Sequence, residues 1–165
     1  MIPIFSVFVV TNIAGGNVQL AASAISTYLI FRVIFEIIIG RYLSKGKKYE
    51  LHTIILGIAI ISISYIGLSL SGNIPTVLLF ISTAGAGIGI MSPSSSSIFS
   101  THLDKNREPY EWGMHDAFVF GSMALATALG GFIVSQYGFR FLFMLAALVN
   151  IIGVVPYFLY KSKFI

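Results

Sequence analysis

Arg32 and Glu36 are the residues whose types and spacing carry the clearest chemistry in this chain. They stand four apart inside the apolar run Val18–Leu43, so a helix would put them on one face within pairing reach. A charge at membrane depth costs about 2.5–3.5 kcal/mol on insertion scales and normally faces a cavity or a partner. Two readings follow. In one, the pair lines a pathway and binds or couples a solute, and Arg32, the deeper residue, suits an anionic ligand. In the other it is an internal ion pair fixing one helix against its neighbours. Tyr28 and Asn150 complete the substrate or coupling candidates; Asn150, alone in a later apolar run, also reads as a helix–helix hydrogen bond.

Further along, Pro93 sits in the run Ser92–Ser97. Proline frees a backbone carbonyl, and the serines could satisfy it or hydrogen-bond a solute. A serine nucleophile lacks its base here, because His102 and His115 belong to the interface. Gly85, Gly87 and Gly89 alternate inside an apolar helix, without the strand and turn that a nucleotide loop needs, and read as a packing groove. The stripe Gly121, Ala124, Ala128, Gly131 reads the same way. Asp104, Glu108, Glu111 and Asp116 share an aqueous side with Arg41, Lys45, Lys47 and Lys48. These clusters could form a gate, or a solvated connector whose ion pairs contribute about 0–1 kcal/mol each. Tyr110 and Trp112 suit interfacial anchors.

The elements that must position these residues are helices in lipid. The chain is 56% hydrophobic and 10% charged, with a mean hydropathy of +0.91; a soluble domain carries about 25% charged residues. With no Cys, disulfides and thiolate chemistry are excluded. The basic residues lie in short connectors beside apolar runs, which is orientation chemistry and not a nucleic-acid surface. A single transmembrane domain over 1–165 is expected, with a partial helix over 1–12 and helices over about 18–43, 51–70, 76–99, 112–136 and 139–160. If the connector Ser44–Glu50 is cytoplasmic, that side receives Arg41, Lys45, Lys47, Lys48, Lys105, Arg107, Lys161 and Lys163, and the other side only Arg140. The positive-inside rule then puts the C-terminus in the cytoplasm. The first helix reads as truncated.

Gly40, Ser44, Lys45 and Gly46 close the second helix, and Gly131, Ser135, Gln136 and Gly138 close the fifth before Arg140. A motif that recurs three helices later on the opposite side marks an inverted three-plus-three repeat. At these residues the chain resembles the major facilitator superfamily. Gly40-Arg41 followed by Lys45-Gly46-Lys47-Lys48 is similar to its signature connector, with Ser44 in place of the usual Asp and Ile38 in place of a frequent Pro. Gly85, Gly87, Gly89 and Pro93 resemble its Gly-rich fourth helix, and Gly130, Gly131, Gly138 and Arg140 its fifth helix and the entry to its sixth. The likeness covers one of the family's two halves and favours the C-terminal one.

The resemblance implies an all-α, polytopic, six-helix half built from two inverted three-helix repeats. It implies a secondary transporter that moves a small solute by alternating access in a cell membrane, with helices one, two, four and five lining the cavity. The expected partners are the lipid bilayer, a small-molecule substrate, and a second six-helix half or another copy of the chain. No cofactor, metal or enzymatic activity is expected. The alternative is a non-transporting membrane subunit that packs through its Gly-rich helix faces.

Overall fold

Two asparagines start two of the helices. Asn17 Oδ1 accepts from the Leu20 N–H at 2.8 Å, and Asn73 Oδ1 accepts from the Thr76 N–H at 3.0 Å. Each satisfies a donor that has no partner within its own helix. A computed structural model describes residues 2–44, 46 and 49–161, with side chains over 3–44, 46 and 49–157. Lys45, Lys47 and Lys48 of the basic connector, and the side chains of Lys161 and Lys163, lie outside the described residues. Within them the chain forms α1 (Ile2–Asn12), α2 (Val18–Leu43), α3 (Glu50–Leu70), α4 (Ile74–Thr101) and α5 (Glu108–Lys161). The four helices α2 to α5 are long and apolar enough to cross a membrane.

Helix α5 is 54 residues long, and at 1.5 Å per residue it would far exceed a hydrocarbon core of about 30 Å if straight. It breaks at Gly138, where φ is 79° and ψ 171°, a conformation reserved almost wholly to glycine. The arms 108–137 and 139–161 each exceed the roughly 20 residues a span needs. Gly138→Ala should destabilise the chain by about 1–3 kcal/mol through backbone strain, because an added Cβ would meet nothing within 4 Å among the described residues. Thermal unfolding in detergent measures this; an unchanged midpoint would show that the corner tolerates a side chain.

Helix α4 also starts earlier than hydropathy suggests, at Ile74, and α5 starts at Glu108 rather than at Trp112. Glu108 and Glu111 fall in the first turn of α5, where carboxylates complement the positive end of the helix. The helix therefore absorbs residues that read as connector.

Helix α4 is the centre of the bundle, packed between α2 and α3, while α3 also packs against α5. At one end, Phe5, Phe8 and Val9 of α1, with Ile13 just beyond it, are buried against Ala21, Ala24, Leu68, Val77, Phe139, Leu142 and Phe143. Phe8 meets Phe143 edge-on at 5.0 Å and Phe139 at 5.5 Å. In lipid such contacts stabilise through close packing, since the tails are as apolar as the side chains. At the other end Phe99 of α4 meets Trp112 at 4.9 Å and His115 at 4.6 Å, tying the first arm of α5 to the end of α4.

Candidate functional site

The site is built where α2 crosses α4. A Cβ added at Gly85 would stand 2.2 Å from the backbone oxygen of Tyr28, and one at Gly89 would stand 2.4 Å from that of Arg32. Tyr28 and Arg32 are four apart, as are Gly85 and Gly89, so a ridge of one helix lies in a groove of the other. Gly87 points the opposite way, where its added Cβ would meet the Gly57 oxygen of α3 at 2.9 Å. Alternating glycines thus let both neighbours approach the α4 backbone.

One turn on from Arg32, the ridge carries Glu36. Arg32 Nε donates to Glu36 Oε2 at 3.4 Å, and the two side chains are 39% and 38% exposed. Glu36 Oε1 accepts from Ser92 Oγ of α4 at 3.0 Å. The carboxylate is therefore shared between a cation on its own helix and a hydroxyl on the next. Two further serines of the Pro93 segment reach α3: Ser94 Oγ bonds Thr53 Oγ1, and Ser97 Oγ donates to Glu50 Oε1 at 2.5 Å. Three serines on one stretch of α4 thus make side-chain bonds to both neighbouring helices. Each such bond in a membrane contributes about 0.6–2 kcal/mol. Tyr28, the first residue of the ridge, lines a cavity of about 60 Å³ with Phe5, Ile25, Tyr65, Ile81 and Phe143.

Apolar membrane-length helices, a glycine-notched central helix and an ion pair carried on one of those helices are now joined by a match over nearly the whole chain. The family model of the Major Facilitator Superfamily matches residues 1–164. The chain belongs to the major facilitator superfamily. It is accordingly an integral, multi-pass membrane protein of a transporter family and not of an enzyme family, with a lipid bilayer around it and a small molecule as cargo. No curated protein and no solved structure gives a significant match.

Against that superfamily membership, the residues singled out from sequence fall in distinct places. Arg32, Glu36 and Tyr28 share the α2 ridge. Asn150 is apart from them: its Nδ2 donates to the Ala146 oxygen at 2.8 Å on its own helix. Of the superfamily-like glycines, Gly85, Gly87 and Gly89 make the close approaches above, and Gly130 faces the Ile4 side chain of α1. Among the described residues, Gly40, Gly46, Gly121, Gly131 and Gly138 have no neighbour within 4 Å of an added Cβ. Arg41 and Arg140 are exposed. Asp104, Glu108 and Asp116 are exposed and Glu111 is half-buried. Asp116 pairs with His115 at 3.3 Å, and the Asp104 N–H donates to Glu111 Oε2 at 3.3 Å. Among the described residues the superfamily connector's Arg41 is in neither ion pair.

Sequence reasoning missed the cross-helix roles of Ser92, Ser94 and Ser97 and their partners Thr53 and Glu50. The available signal was depth. Glu36 and Ser92 both lie in the C-terminal half of their helices. Glu50 instead opens α3 and Ser97 lies near the end of α4, so the reversal of chain direction between α3 and α4 brings that pair to one level.

Proposed function

We propose that the chain is one six-helix half of a secondary transporter, made of two inverted three-helix repeats. It moves a small solute by alternating access across a cell membrane, with its C-terminus in the cytoplasm. Counting the arms of α5 separately gives the sixth helix. The observation that carries the reading is the half-exposed Arg32–Glu36 pair on α2, within a superfamily chain. A charged pair at membrane depth belongs beside a water-accessible pathway, and superfamily sites sit near the midplane where two halves meet. The uncovered glycine faces at Gly121 and Gly131, beside exposed Phe118, Leu125 and Phe132, favour a further helical partner, either a second half or another copy. The same faces would serve the alternative, a membrane subunit that binds without transporting.

Uptake into proteoliposomes by the purified chain, alone and together with a second six-helix half, tests the proposal. Saturable, gradient-driven uptake is expected. Binding to a partner with no uptake at any gradient would select the subunit reading. Sidedness is checked independently: labels at Lys45 and at Arg140 should be reached from opposite faces of sealed vesicles, because the repeats are inverted. Labelling of both from one face would remove the inverted architecture.

A further inference from the structure

The contact between Arg32 and Glu36 is long for a charged pair. Charge-assisted N–H···O bonds normally lie at about 2.7–2.9 Å, whereas Arg32 Nε stands 3.4 Å from Glu36 Oε2. The other carboxylate oxygen, Oε1, is held at 3.0 Å by Ser92 Oγ on the facing helix. Ser92 cannot follow Glu36 towards Arg32 without moving α4, and α4 is fixed against α2 by the backbone contacts at Gly85 and Gly89. The carboxylate is thus tethered from its far side. Arg32 makes this bond through Nε, whereas guanidinium binds carboxylate or phosphate best through two parallel N–H donors.

We infer that Ser92 is a positioning residue: it holds Glu36 short of full closure on Arg32, so that the guanidinium fork is kept available to the carboxylate or phosphate of an anionic solute. The inference rests on the proposed role of Arg32 in the solute pathway, and it assigns that solute's chemical class. Without the Ser92 tether, Glu36 closes on Arg32 and competes with the anion. With the tether, the two helices that must move together during transport also share control of the site.

Phenylglyoxal, which reacts with accessible guanidinium groups, reads this without knowledge of the cargo. The full chain in membrane vesicles is treated, and modification of the Arg32 peptide is followed by mass spectrometry. Ser92→Ala should slow modification of Arg32 about ten-fold, the effect of roughly one charged hydrogen bond. Ser92→Thr, which keeps the hydroxyl, should stay near the original rate. Ser92→Ala combined with Glu36→Gln should return to the rate of Glu36→Gln alone. Ser92→Cys, close in size and a weak donor, gives the same comparison if the alanine chain is not recovered from the membrane. A rate in Ser92→Ala (or, in its place, Ser92→Cys) that matches the original chain, or a slowing that persists when Glu36→Gln is added, overturns the tether.

Phosphate and succinate are then added as probes. Protection of Arg32 by either, weaker in Ser92→Ala, supports the anion assignment, and protection by neither overturns it. Failure of the transport reading looks different: uptake would be indifferent to Arg32→Gln while the Ser92 comparison stood unchanged.

Discussion

Gly85→Ala is expected to force α2 and α4 apart and to leave little folded protein in the membrane. The added methyl carbon would lie 2.2 Å from the Tyr28 backbone oxygen, where real carbon–oxygen contacts need about 3.3 Å or more. A flexible side chain could turn away, but a main-chain carbonyl in a helix cannot. Relief therefore requires a shift of roughly 1 Å between whole helices, which also strains the Gly89–Arg32 approach and the Ser92–Glu36 bond. Overpacking of this kind costs about 1–3 kcal/mol at a single site, and here three contacts share the same crossing. Unfolding in detergent, followed through Trp112, the sole tryptophan, should show a lowered midpoint. Gly131→Ala is the internal comparison, because its Cβ would meet nothing within 4 Å among the described residues and alanine favours helix by up to about 1 kcal/mol. Equal effects at 85 and 131 would mean that the crossing is not held by backbone approach.

Arg32→Gln should lower uptake by about 100-fold while leaving the chain folded. Loss of a hydrogen bond to a charged group costs about 1.5–3 kcal/mol, and every 1.4 kcal/mol is ten-fold. Glutamine retains an N–H donor towards Glu36, so the α2–α4 link through Ser92 is preserved. The measurements are initial uptake rate and the amount of monodisperse protein recovered. Uptake at the original rate removes Arg32 from the pathway. Loss of folded protein instead makes the pair a structural tie between helices.

Helix identity was plain from hydropathy, and the turns at Asn17 and Asn73 from their polar residues. The four-residue spacing of Arg32 and Glu36 was enough to put them together, because local geometry along a helix needs no knowledge of neighbours. What faces a helix from across the bundle was not legible. Ser92 is 56 positions from Glu36, and nothing local says which way α4 is turned about its axis. The glycines illustrate this well. Gly85, Gly87, Gly89 and the Gly121–Gly131 stripe are both runs of small residues, yet the first group meets two helices while Gly121 and Gly131 meet nothing among the described residues. Spacing reports that a face is small, not that anything lies on it. The acidic residues around Asp104–Asp116 gave a charge count and a side, but their partners in the structure are the nearby His115 and the Asp104 backbone.

The opposed notches of α4 also bear on how force would travel. A layer of side chains between helices can flex and let them slide, whereas backbone seated on backbone has no such cushion. Movement imposed at Arg32 is therefore handed through Gly89 and Gly87 to Gly57 and on to α3 with little slack. The first arm of α5, tied at Trp112 and resting at Gly130 on Ile4, is where compliance is left.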